Sequence, residues 1–177
     1  RAFSDLPLDK VIQCGNPRLD LVKFFPKRLL ETPSIGFATR FNSLNHADGR
    51  PTLYTLTNSG NLDSVVAQSK GFLGFLDAVK AILDNTDYLI SIRPHPLEAP
   101  EFYRRYVQTL NPARISIDVG FDFLIWQKRQ RVVITPTSSI GIELYILKTP
   151  LVSIDALSET EGGSSPVTAH TEFLGAR

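Results

Sequence analysis

The segment 88–100 reads YLISIRPHPLEAP, an apolar run, YLISI, that ends on Arg93, Pro94, His95 and Pro96. Proline fixes its own backbone and restricts the residue before it, so these two prolines aim the side chains between them. Arg93 offers a planar fork of donors suited to phosphate or carboxylate. His95 can donate a hydrogen bond to a phosphate or act as an acid or base near neutral pH, which makes it the candidate catalytic residue. Donors aimed from the end of a buried strand suit an anionic ligand. The bland alternatives are a salt bridge from Arg93 to Glu98 and a simple surface turn at His95.

A second cluster, Thr135, Thr137, Ser138 and Ser139, follows the apolar run 131–135 and opens a helix pattern. A helix start presents unpaired amide groups and partial positive charge, and small hydroxyl residues there add donors without blocking a phosphate. One of the hydroxyls could equally be a helix cap. Glu143 lies one to two turns into that helix, where a carboxylate could accept hydrogen bonds from a ribose diol. An exposed helix glutamate is the alternative. Thr39, Arg40, Asn42 and Asn45 form a third cluster after the apolar run 34–41, and Asn16, Arg18 and Asp20 follow the run 11–14. Asn-Pro initiates turns, so Asn16 could serve only to shape the chain.

Each of these clusters needs a strand to hold it at one edge. Apolar runs at 11–14, 34–41, 88–92, 114–118, 131–135 and 151–154 are short and suit buried strands. Helical patterns lie at 62–83, 100–110, 121–129 and 138–147. The first of these carries Val65, Val66, Phe72, Leu73, Leu76, Val79 and Leu83 at spacings of three and four, with Asn61 as its expected cap. Leu19, Leu21, Val22 and Phe25 fit a short helical or irregular piece. The pattern at 52–57 does not decide for or against a strand. Strands alternating with helices predict an α/β, Rossmann-like fold, a parallel sheet with helices on both faces. In such sheets ligands bind outside the carboxyl ends of the strands, where the three main clusters fall.

The 177 residues suffice for one domain with a substantial core. A net charge of +1 gives no reason to expect nucleic acid as a partner. The single cysteine, Cys14, rules out an internal disulfide and a cysteine-rich metal site, which fits a cytoplasmic compartment. No apolar run is long enough to cross a bilayer. His46 and Asp48 are too few for a metal site. Trp126 sits among Phe121, Phe123, Leu124 and Ile125 and is expected in the core, and Asp118 and Asp122 flank Gly120 as turn formers. The signatures GxxxxGK[ST], GxGxxG, HExxH and GxSxG are absent.

Four stretches resemble the C-terminal, nucleotide-binding half of type B glycosyltransferases, which contain two Rossmann-like domains. The likeness is to bacterial surface carbohydrate biosynthesis proteins and, more loosely, to CDP-glycerol glycerophosphotransferases. The stretches are GNPRLD at 15–20, ATRFNSLNH at 38–46, IRPHPLE at 92–98, and TSSIGIE at 137–143 with KTPLV at 148–152. The resemblance implies that Arg93 and His95 meet the phosphates of a nucleotide-activated donor. It implies that Ser138 and Ser139 bind the diphosphate and that Glu143 binds the ribose; Thr137, Asn16, Arg18, Thr39 and Asn42 are the further candidates for contact with substrate or phosphate. Arg40 stands where the family commonly has asparagine, and Leu144-Tyr145 replaces a small residue. The implied organisation is an incoming linker and first strand at 1–14, a donor-binding domain at 15–157, a polar tail at 158–177, and an acceptor-binding half that would precede this chain. The implied activity is transfer of a sugar or polyol phosphate in surface polysaccharide synthesis, with no metal or other cofactor, in the cytoplasm or at the inner face of the membrane. A nucleotide-sugar epimerase of related fold, or a degenerate domain that binds and transfers nothing, are the rival expectations.

Overall fold

The computed structural model describes Asp20 and residues 34–59, 62–120, 122–136 and 138–154. The strands are β1 (Ser34–Ala38), β2 (Leu89–Arg93), β3 (Ile115–Ile117), β4 (Val132–Thr135) and β5 (Leu151–Ser153). The helices are α1 (Thr52–Ser59), α2 (Leu62–Asn85), α3 (Pro100–Gln108), α4 (Phe123–Gln127) and α5 (Ile140–Ile146). All five strands pair in parallel, in the order β3-β2-β1-β4-β5. The chain steps outward from β1 through β2 to β3, then returns to lay β4 on the other side of β1. Such a reversal of strand order opens a crevice at the carboxyl ends of the two strands where it occurs.

Alternation along the strands supplies two cores. Ile35 and Phe37 of β1 and Ile90 and Ile92 of β2 pack against Phe75 and Val79 of α2 and Tyr103 and Val107 of α3. On the opposite face Ala38 and Val133 meet Phe123, Leu124 and Trp126 of α4 and Leu144 of α5. The sheet therefore carries helices on both faces, the α/β, Rossmann-like architecture expected from the sequence. Trp126 is in the core, as expected, and its Nε1 donates to Ser91 Oγ at 2.8 Å. Its ring lies so close over β1 that a Cβ on Gly36 would come within 2.8 Å of it. Phe75 meets Phe37 edge to face, with ring centroids 5.3 Å apart.

Several elements differ from the sequence pattern for identifiable reasons. Residues 52–57 belong to helix α1. Their threonines suit a strand, but Pro51 precedes a helix start comfortably. The buried row of α2 includes Val65, Phe75 and Val79, whereas Val66 and Leu73, expected in it, are exposed. β1 ends at Ala38 rather than residue 41, because Thr39–Phe41 turn away to bind Glu98. The run 11–14, the turn at Asn16, Arg18, the piece around Leu19–Phe25 apart from Asp20, the Asn61 cap and the tail from Ser158 lie outside the described residues.

Candidate active site

The carboxyl ends of β1, β2 and β4 lie side by side. Ala38 is paired with Arg93, Phe37 with Ile134, and the Thr39 amide donates to the Arg93 carbonyl at 3.0 Å. Parallel strands lie about 4.8 Å apart, so the ends of β2 and β4, on either side of β1, are separated by about 10 Å. Of the three sequence clusters, Thr39, Arg40 and Asn42 follow β1, Arg93 and His95 end and follow β2, and Ser138 and Ser139 follow β4. They share one edge of one sheet. Thr137 lies outside the described residues, as do Asn16 and Arg18.

Glu98 organises the middle of this edge. It is buried, 2 % exposed. One carboxylate oxygen, Oε2, accepts from Thr39 Oγ1 at 2.7 Å and from the His95 amide at 2.6 Å. The other, Oε1, accepts from the Phe41 amide at 2.6 Å and from the Tyr103 hydroxyl at 2.7 Å. Four donors satisfy a carboxylate that is shut away from water, and this replaces a counter-ion. Burial and the adjoining Glu98 carboxylate raise the Tyr103 hydroxyl far above its ordinary range, so it remains a donor. The expected alternative of a salt bridge from Arg93 to Glu98 does not occur. Further bonds join the same two loops: Asn45 Nδ2 donates to the Ala99 carbonyl at 2.9 Å, and the Ala47 amide to the Leu97 carbonyl at 2.8 Å.

His95 is half-buried between its prolines. Its Nδ1 accepts from the Leu97 amide at 3.1 Å, and its carbonyl accepts from the Glu98 amide at 2.8 Å. A ring nitrogen that accepts carries no proton, so the neutral imidazole holds its proton on Nε2. Burial lowers the His95 pKa from its ordinary value; the Glu98 carboxylate opposes that shift, and the Arg40 guanidinium reinforces it. Arg40 itself is exposed, and among the described residues no carboxylate forms an ion pair with it.

Arg93 is held more tightly than its place in the motif suggests. Its guanidinium pairs with Asp118 and donates to the Gly120 carbonyl. It also stacks over Phe123 and Trp126, with its central carbon 5.9 and 5.8 Å from the ring centroids. Asp118 accepts in addition from the Gly120 amide at 3.0 Å, and Asp122 caps α4 by accepting from the Leu124 amide at 2.8 Å. Both aspartates shape the turn beyond β3, as their spacing around Gly120 predicts. Arg93 thus ties β2 to the loop after β3 and supplies positive charge just inside the carboxyl edge.

At the end of β4, the Ser138 hydroxyl accepts from the Ile140 amide at 3.2 Å, and Ser139 stands at the cap position of α5 without a side-chain capping bond. Ser139 is exposed beside it, and Glu143 is half-buried in α5. Among the described residues no group of His, Cys, Asp and Glu side chains is placed to hold a metal ion, and no helix is long and apolar enough to cross a membrane. The residue that inspection of the sequence undervalued is Glu98. Its signal was present in the RPHPLE segment: an acid three residues after the histidine, between Leu97 and Ala99, directly before a helix.

The sheet order and its two helical layers define an α/β, Rossmann-like domain with polar clusters at the switch in strand order. No protein family pattern matches the chain by sequence, and no curated protein matches it. Solved structures similar to it include the following two. KpsC of Thermosulfurimonas dismutans, a beta Kdo 2,7 transferase, aligns with a TM-score of 0.41 and 13% identity over 78% of this chain. The UDP-GlcNAc 2-epimerase of Methanocaldococcus jannaschii, solved in complex with UDP-GlcNAc and UDP, aligns with a TM-score of 0.47 and 14% identity over 85% of this chain. The chain spans 38% and 40% of the length of these proteins.

Proposed function

We propose that this chain is the donor-binding part of a transferase that moves a sugar or polyol phosphate from a nucleotide-activated donor in surface polysaccharide synthesis. One observation carries the proposal. The residues that follow β1, β2 and β4 with donors or positive charge lie on a single edge, around the point where the strand order reverses. That is where ligands of open parallel sheets bind.

In this proposal the diphosphate lies across the ends of β1, β2 and β4. His95 donates from Nε2, and Arg40 and Arg93 supply positive charge. Ser138 and Ser139, with Thr137, meet the phosphates at the start of α5, and Glu143 accepts from the ribose hydroxyls. Thr39 holds the loop through Glu98, and Asn42, Asn16 and Arg18 complete the phosphate side. Transfer breaks the bond between the moving group and the nucleotide's terminal phosphate oxygen. That oxygen gains negative charge, which the fixed donors stabilise. The acceptor hydroxyl forms the new bond and gives up its proton to a base outside the residues described. Association with the inner face of a membrane belongs to the same proposal and would be a property of the whole protein.

Calorimetry with UDP, CDP and GDP, each beside its nucleoside, tests the proposal. One diphosphate should bind well above its nucleoside. His95→Ala and Ser138→Ala should each weaken the diphosphate by about tenfold, the loss of about 1.4 kcal/mol, and leave the nucleoside unchanged. Equal losses for both ligands, or no binding of any diphosphate, would contradict phosphate recognition at this edge.

A further inference from the structure

Glu98 makes an unusual set of contacts for a residue two positions before a helix. Its side chain accepts from Thr39 and Phe41, the two neighbours of Arg40, and from the His95 amide. Its own amide donates to the His95 carbonyl. Both main-chain polar groups of His95 are thus bound by Glu98, and the next amide, that of Leu97, is turned onto Nδ1. Among the described residues nothing engages Nε2. Tyr103, itself 0 % exposed, anchors the carboxylate to α3 from below.

We propose that Glu98 is a positioning residue: its carboxylate fixes the turn 94–98 and the loop 39–41 as one unit, so that His95 presents Nε2–H toward the carboxyl edge with Arg40 held beside it. The purpose of this arrangement rests on the nucleotide reading, since a neutral N–H donor next to a free cation suits a phosphate oxygen. The fixing itself does not depend on that reading.

Replacing the carboxylate with an amide shows why the charge matters. Each oxygen of Glu98 faces one main-chain amide, Phe41 on Oε1 and His95 on Oε2. The hydroxyls of Thr39 and Tyr103 can rotate to accept, but a main-chain N–H cannot. Whichever oxygen becomes NH2 in Glu98→Gln therefore meets a donor that has no alternative. The loop or the turn must move.

The imidazole nitrogens of the chain's three histidines can be followed by heteronuclear NMR in the wild type and in Glu98→Gln, with binding of UDP, CDP and GDP, each beside its nucleoside, measured alongside. His95 in the wild type should show an unprotonated Nδ1 and a protonated Nε2. In Glu98→Gln the two tautomers should mix, and the diphosphate that binds the wild type should weaken by about tenfold while its nucleoside does not. If Glu98→Gln does not fold, Glu98→Asp keeps the charge but withdraws it by one methylene, too short to hold both loops, and the same mixing is expected. A folded variant with an unchanged His95 tautomer overturns the proposal. If none of UDP, CDP and GDP binds the wild type while the tautomer still responds, the positioning role stands and the nucleotide reading falls.

Discussion

His95 owes its state to its neighbours rather than to its own chemistry. The Leu97 amide occupies Nδ1, burial disfavours the charged ring more than the Glu98 carboxylate favours it, and Arg40 adds a smaller repulsion. The neutral form is therefore favoured in the fold relative to the unfolded chain. A group whose folded pKa lies below its unfolded value contributes stability above the unfolded value, near 6.5, and that contribution is lost as pH falls through the folded pKa. Denaturant unfolding at pH 7.5 and at pH 5 should show the loss, and His95→Gln should reduce the difference between the two. Arg40→Ala should move the His95 titration upward in the NMR-detected curve. A titration that stays in place would show that Arg40 does not act on the ring.

At the scale of elements, the close contact of α4 with β1 decides how the sheet is faced. Trp126 lies over Gly36, and Gln130 Cγ would also be 2.8 Å from a Cβ there. Gly36→Ala must push the indole or the strand aside and should destabilise the domain by about 1–3 kcal/mol, measured by chemical denaturation. An unchanged midpoint would mean that α4 is loosely seated. Arg93 belongs to the same contact, since it stacks on Phe123 and Trp126 and joins the loop after β3 to β2. Most strands and helices were legible in the sequence because their apolar runs have the right lengths and are punctuated by proline and glycine. The segment 52–57 was not, because Leu53, Tyr54 and Leu56 among threonines fit either a strand or a helix. The exposed Leu73 misled for a related reason: several apolar residues of α2 fit a stripe, and only packing against Phe37 and Phe41 selects Phe75. In the site, the chain positions of Arg93, His95 and Ser138 were readable as strand-end clusters. The inward turn of Arg93 onto Asp118 was not, because it depends on a residue in the next strand connection.

For the molecule as a whole, the proposed function depends on where the order of strands reverses. β1 is the shared neighbour of β2 and β4, so the loops that follow the three strands converge although they are separated by many residues of helix. The Glu98 carboxylate joins two of those loops, and Ser138 lies in the third, its hydroxyl accepting from the Ile140 amide. A ligand that spans them would touch parts of the chain brought together only by folding. Amide chemical-shift mapping of the 177-residue chain titrated with UDP, CDP and GDP tests this most directly. The account predicts that one of these ligands shifts amides at 39–42, at 93–98 and at 138–143 together, with the amino ends of the strands unmoved. Shifts gathered at the opposite edge of the sheet, or none with any of the three ligands, would contradict it.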